Sequence, residues 1–418
     1  MNIIHGDCLE ELKKLEDNSI DAVVCDPPYG LSNTKPQQVA DVLKAWVTGD
    51  TVSVPAKRGG FMGKDWDSFV PPPAVWEECM RVLKPGGHMA VFAGARTQDL
   101  MGLSIRLAGF EIRDTLGWVY GSGFPKSQNI SLQIEKQAGK RGHTAKGFVT
   151  AGDYGGRGLT SPDTKVQHSP LTMDAAKQWD GWGTALKPAI EPIILARKPL
   201  DGTVASNVLA HGVGGLNIDA CRVEGGERPK RVAHSDDGNG VYGKGIHGSH
   251  AEGVTTQGRF PANVLLDEHA AKEMDEQSGV RSDRGGAGNA AKEKQDFPSS
   301  YSLPGVSKVA YNGEGGASRY FPVFKYQAKA PKKERPVIER EDGSKIQHPT
   351  VKPLALLDWL VTLITPPGGV VLDPFAGSGT TLQAALNKGF TPIGIEQDAD
   401  YIKLIEKRLE ATCTTHKN

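Results

Sequence analysis

At 418 residues the chain is long enough for two or three domains with a sizeable core, which excludes a short disulfide-stapled scaffold. Glycine stands at 51 positions, about 12% against a usual level near 7%, so much of the chain must be loop. Forty-nine basic residues cancel 49 acidic ones, and net charge alone offers no argument for a polyanionic partner.

The first ten residues already hold Asp7 and Glu10 and lack both a basic cluster and the apolar run of a signal peptide. Nowhere do about 18 apolar residues run together, so a soluble, cytoplasmic chain with no membrane contact is expected. Cys8, Cys25, Cys79, Cys221 and Cys413 lie far apart without a Cys-x-x-Cys pair, and the eleven histidines show no ligand spacing. Reduced thiols and no metal site are expected.

Residues 1 to about 125 alternate strand and helix signals, as an α/β domain does. A short apolar strand at 2–4 precedes a helix at 8–15, where Leu9, Leu12 and Leu15 share one face. Residues 20–25 form an apolar run broken by Asp21 and ended by two prolines, the pattern of a parallel strand buried on both faces. A helix at 74–83, a strand at 88–92, a helix at 98–107 and a hairpin within 110–120 follow. Residues 141–320 hold 29 of the 51 glycines and only short apolar runs (193–196, 204–209, 263–266). This stretch is read as unable to continue the same sheet. Short strands and turns or partly mobile loops, rather than full disorder, are expected, with Trp179, Trp182, Phe260, Phe321 and Phe324 packing somewhere. The α/β texture returns at the end: helix 354–364, strand 369–372, helix 380–388, strand 391–395 and helix 399–409. One α/β domain interrupted by a glycine-rich insertion is the simplest arrangement.

Two strings carry chemistry. Asp26-Pro27-Pro28-Tyr29 stands at the carboxyl end of the 20–25 strand, where open α/β sheets bind ligands. The plainer alternative is a proline-stiffened turn with an Asp cap and a surface tyrosine. The second string, Val371-Leu372-Asp373-Pro374-Phe375-Ala376-Gly377-Ser378-Gly379-Thr380-Thr381, runs from a strand through a glycine-rich turn into a helix whose amino end favours a carboxylate or phosphate. It matches neither nucleotide fingerprint, and Asp373 would repel a pyrophosphate. A ligand with an amino group and a carboxylate, such as the methionine end of S-adenosylmethionine, fits better. Glu396 lies 23 residues after Asp373, near the spacing at which an acid takes ribose hydroxyls; a helix cap followed by a surface Glu is the plainer alternative.

With these residues the chain resembles the amino-group DNA methyltransferases, which methylate adenine N6 or cytosine N4. The Asp26 to Tyr29 string is similar to their catalytic motif, and Asp373 to Thr381 with Glu396 to their S-adenosylmethionine site. His5-Gly6-Asp7-Cys8 resembles the family's turn toward the cofactor adenine, Val82-Leu83-Lys84-Pro85-Gly86-Gly87 the segment leading into its fifth strand, and His348-Pro349-Thr350-Val351-Lys352-Pro353 the segment that holds the methionine moiety. The resemblance covers roughly residues 1–130 and 345–411, with the catalytic motif first and the cofactor motif last, the order of the circularly permuted beta group.

The resemblance implies a Rossmann-like α/β sheet with catalytic parts at 1–130 and 345–418 and a target-recognition module at 131–344. It implies Asp26, Pro27, Pro28 and Tyr29 as catalytic residues. Asp7, Cys8, Thr350, Lys352, Asp373, Phe375, Gly377, Ser378, Gly379, Thr380 and Glu396 would bind S-adenosyl-L-methionine. Asp rather than Ser at position 26 leans, within the family, toward adenine N6 in DNA, taken from a flipped-out base as in restriction-modification enzymes. Cytosine N4 is the closest alternative; methylation of RNA or of a protein glutamine amide, and a catalytically silent DNA-binding regulator, stand further off. A second copy of the chain is left open as a partner.

Weaker signals remain. From Arg319 to Arg335 the basic residues Lys325, Lys329, Lys332, Lys333 and Arg335 alternate with Tyr320, Phe321, Phe324 and Tyr326, which reads either as a DNA-facing strip, with Lys332, Lys333 and Arg335 on phosphates, or as a solvated linker. Lys136, Lys140, Arg141 and Lys146 read as an exposed helix face. Trp66 reads as loop packing or as a cover over an extruded base.

Overall fold

The structure, a computed structural model, describes residues 2–32, 34–55, 67–121, 123, 127–140, 170–225, 228–233, 249–282, 314–324, 335–340 and 342–415. In chain order its strands are β1 (Asn2–His5), β2 (Ile20–Cys25), β3 (Leu83–Phe92), β4 (Glu111–Val119), β5 (Ile190–Arg197), β6 (Arg228–Ala233), β7 (Ser249–Thr255), β8 (Val264–Asp267), β9 (Arg281–Ser282), β10 (Glu314–Gly315), β11 (Val323–Phe324), β12 (Ile338–Glu339), β13 (Lys345–Ile346), β14 (Val370–Asp373) and β15 (Thr391–Glu396). Nine of the described strands make one sheet in the order β1-β15-β14-β2-β3-β5-β4-β8-β11. All neighbours are parallel except β5, which runs antiparallel to β3 and β4.

Both faces of β2 are buried, as the apolar run at 20–25 requires. Ile20, Val23 and Cys25 enter one core with Met89 and Val91, under the helices Pro36–Val47, Pro73–Val82 and Gln98–Leu107. Ala22, Val24, Ala90 and Phe92 enter the other, under Leu354–Ile364 and Thr380–Asn387. The one charge in β2 pins three strands together. Asp21 accepts Lys84 Nζ at 2.6 Å and the Val370 N–H at 2.7 Å, tying β2 to β3 and β14.

Within β3, at the Lys84-Pro85-Gly86 sequence, Gly86 is fixed by a close approach. It takes φ +77°, and a Cβ there would meet Asn207 Nδ2 at 2.3 Å. The missing side chain leaves room for that buried amide, which donates to Pro85 O and Val213 O at 2.8 Å each.

Two expectations are corrected. The strand from 110–120 has no hairpin partner within that stretch, because β4 pairs with β5, about 80 residues on. Residues 141–320 do continue the sheet: β5, with its buried Ile193 to Ala196, and β8 both lie in it, since their short apolar runs are buried strands rather than satellite structure. The chain falls into two compact units. One comprises residues 1–122 with 190–418, the other residues 123–189. In the smaller unit the helix Ile130–Gln137 is capped by Asn129, and buried Glu135 accepts from Thr172 Oγ1 and the Met173 N–H. Of the aromatics expected to pack, Phe324 is buried, whereas Trp179, Trp182 and Phe260 are exposed. Among the described residues no helix is long and apolar enough to cross a membrane.

Candidate active site at the ends of β2 and β14

β2 and β14 are adjacent, with Val23 beside Leu372, and the chain leaves them toward opposite edges of the sheet. Such a reversal opens a crevice at the carboxyl ends, and both chemistry-bearing strings start there.

Asp26 follows β2 directly and is partly exposed. The Tyr29 hydroxyl donates to its Oδ1 at 2.7 Å, and burial, then the Asp26 charge, keep that hydroxyl protonated well above its usual range. The loop is held from behind: buried Asp67 accepts the N–H groups of Tyr29 and Gly30 through Oδ1 at 2.7 and 3.1 Å, and Thr97 Oγ1 donates to Tyr29 O at 2.6 Å. Asp67 was not anticipated, although it adjoins Trp66, which lies outside the described residues.

Lys352 reaches Asp26 from near the other end of the chain. Its Nζ is 3.1 Å from Asp26 Oδ2 and 3.0 Å from Glu191 Oε2, with only 13% of the side chain exposed, and it donates to the Tyr29 hydroxyl at 2.9 Å. Burial alone would lower its pKa, but the Asp26 and Glu191 carboxylates outweigh that and hold it well above the usual lysine value. It is therefore a cation beside the Asp26 carboxylate. Glu191, on β5, is not legible in the sequence because its short strand reads as part of a separate module.

The turn after β14 carries the second group of residues. Asp373 is buried and accepts the Phe375 N–H at 3.0 Å through Oδ1. Burial pushes its carboxyl up to about 7 against the opposing hydrogen bonds from Thr381 and Phe375. Gly377 takes φ +53°, and a Cβ there would sit 3.0 Å from His348 Nε2. Its N–H donates to Glu396 Oε2, and the Asp398 N–H to Glu396 Oε1, both at 2.8 Å. Glu396, also buried, has its pKa raised by that burial. Ser378 and Thr380 hydroxyls lie 3.2 Å apart, and the Phe375 ring packs 6.1 Å from Trp76. Buried Arg408, from the C-terminal helix, donates to Ser378 O at 2.7 Å; nothing in its local sequence marked it.

Of the remaining expected residues, Asp7 and Cys8 follow directly on a backbone contact to Glu396. Gly6 N–H donates to Glu396 O at 3.0 Å, and the next residue, Asp7, caps the helix Cys8–Leu12 by accepting the Leu9 and Glu10 N–H groups. Burial pushes the Cys8 thiol up to about 12. Exposed Thr350 bonds through its backbone to His348 Nδ1. Arg335 is partly buried, and Lys332 and Lys333 lie outside the described residues. No metal-binding cluster of His, Cys, Asp and Glu occurs among the described residues.

Residues 20–407 match the N6/N4 DNA methylase family. The type II methyltransferase M.HindIII of Haemophilus influenzae is 24% identical over 430 residues, covering 97% of this chain and 94% of that protein. The DNA adenine methyltransferase YhdJ of Escherichia coli is 49% identical over a run of 63 residues, 15% of this chain and 21% of that one. The solved M1.HpyAVI–SAM complex aligns over 98% of each chain at 15% identity, with a TM-score of 0.38.

The Asp373 carboxyl gives a pH test. Its folded value of about 7 exceeds the ordinary 3.8, so the folded state binds the proton more tightly, and the associated stability, complete below about pH 4, is lost as pH rises through 7. Asp373→Asn should therefore gain stability relative to the parent between pH 5 and pH 8 in urea unfolding. A difference that does not change with pH would mean that burial does not perturb this carboxyl.

Proposed function

The chain belongs to the N6/N4 DNA methylase family, and from that membership we propose that this S-adenosylmethionine-dependent DNA methyltransferase acts on adenine N6. The observation that carries the reading is the placement of Asp26 and Asp373 at the carboxyl ends of two neighbouring parallel strands.

The turn after β14 fits the methyl donor. Two buried carboxylates border a glycine-lined turn in which a Cβ at Gly377 would press on His348. Asp373 would take the amino group and Glu396 the ribose hydroxyls. The backbone of Gly377 and Gly379, with Phe375, Ser378 and Thr380, would line the turn, with Asp7 and Cys8 toward the adenine and Thr350 toward the methionine part. When bound, S-adenosylmethionine supplies an electrophilic methyl on a sulfonium, open to in-line attack.

The protein's own part is to prepare the nucleophile. An exocyclic base amine is weak because its lone pair is delocalised into the ring. Asp26 and the Pro27 carbonyl accept its two N–H bonds, which concentrates electron density on nitrogen and fixes its direction. Pro27 and Pro28 set the backbone so that this carbonyl faces the crevice. The Tyr29 ring offers a stacking face to a base extruded from the duplex, and Asp26 takes up the released proton.

Adenine is favoured by the Asp that opens the motif and by the YhdJ match. The order of motifs supports a circularly permuted sheet: β1 supplies the edge strand beside β15, so the chain enters the sheet at a strand that continues the one at its end. Residues 131–344 supply target recognition from their parts outside the sheet, and Lys332, Lys333 and Arg335 contact phosphates.

Asp26→Ala should abolish tritium transfer from labelled S-adenosylmethionine to DNA while calorimetry still shows cofactor binding. Near-normal turnover would remove Asp26 from the chemistry.

Replacing Lys332, Lys333 and Arg335 together by alanine should flatten the salt dependence of DNA binding, by up to about two or three units of slope in log K against log salt. An unchanged slope would return this segment to the role of linker.

A further inference from the structure

Both oxygens of the carboxylate assigned to the target amine are already engaged. Tyr29 holds Oδ1 at 2.7 Å, and Lys352 Nζ stands 3.1 Å from Oδ2. The same ammonium lies 5.2 Å from the centre of the Tyr29 ring and 4.9 Å from that of Phe92, within the range at which cations are drawn to aromatic faces. An N–H donated to Asp26 beside the Tyr29 ring is what an extruded base amine would need. Lys352 and that amine therefore compete for one place.

From this geometry we propose that Lys352 stands in for the target amine in the free enzyme, and that Glu191 is the positioning residue that receives its ammonium when the base docks. The proposal rests on the assignment of Asp26 to the base amine.

Glu191 Oε2 is already 3.0 Å from the ammonium. Lys352 can thus release Asp26 without losing a counter-ion, through rotation about its terminal bonds. Without Glu191 the released ammonium would be a nearly buried, unpaired charge, which is strongly unfavourable. Charge balance points the same way. Asp26, Lys352 and Glu191 sum to one negative charge, so a base entering the crevice meets a carboxylate that is not neutralised by its own neighbour once the lysine has turned away. The two residues come from distant parts of the chain, Glu191 from β5 and Lys352 from the segment before the helix Leu354–Ile364. The sheet order alone brings them together.

The test is a set of variants read by single-turnover tritium transfer at saturating DNA and S-adenosylmethionine. Glu191→Gln leaves the ammonium on Asp26 alone, so transfer should slow by about tenfold or more, the effect of one charge-assisted hydrogen bond. DNA and cofactor affinity should stay unchanged. Glu191→Asp keeps the receiving charge and should fall between Glu191→Gln and the parent. Adding Lys352→Met to Glu191→Gln removes the competitor and restores the net charge of the cluster, so the rate should recover to within about threefold of the parent. A Glu191→Gln enzyme at the parental rate, a Glu191→Asp enzyme no faster than Glu191→Gln, or a double variant no faster than Glu191→Gln would each overturn the proposal. Asp26→Asn is measured in parallel. If it is active, the underlying site assignment has failed; if it is inactive and the double variant does not recover, only the exchange between Asp26 and Glu191 has failed.

Discussion

The parallel pairing of β2 with β14 is the constraint on which the site depends. It joins a strand near the start of the chain to one near its end, and the Asp21 carboxylate secures it through the Val370 N–H. Because the chain departs from these strands toward opposite edges, a crevice opens where Asp26 and Asp373 both emerge. A slip of one residue in this pairing would turn the buried side chains of β2 to the opposite core and move Asp26 relative to Asp373. The chemistry thus relies on register rather than on either motif alone.

The same crevice gathers charge. Asp26, Glu191, Asp373 and Glu396 are four carboxylates at neighbouring strand ends, with Lys352 as a cation among them. Two are relieved in different ways. Glu396 accepts two backbone N–H groups, whereas Asp373, buried and close to both Asp26 and Glu396, has its carboxyl pushed up to about 7. An acidic pocket of this kind suits a cofactor that carries an ammonium and a sulfonium.

What could be read from the sequence was local. The 20–25 strand was evident from a continuous apolar run ending in two prolines, and the glycine turn at 373–381 from the strand, turn and helix pattern around it. Asp26 and Asp373 therefore occupy the strand ends where those patterns put them. What could not be read depends on pairing between distant segments. Glu191 is one acid in a short apolar strand, and only the antiparallel insertion of β5 between β3 and β4 brings it to Lys352. Lys352 lies in a segment legible as a motif, but that its side chain reaches the Asp26 carboxylate depends on the fold. Asp67 and Arg408 support the two loops from outside either motif, and no spacing rule reports a buried charge whose partners are backbone groups far along the chain.

The most direct test of the central claim, that Asp26 presents an extruded adenine amine to the methyl donor, is the identity of the modified base. DNA methylated by the enzyme, digested to nucleosides and analysed by mass spectrometry, should contain N6-methyladenine and no N4-methylcytosine. N4-methylcytosine alone would contradict the adenine assignment.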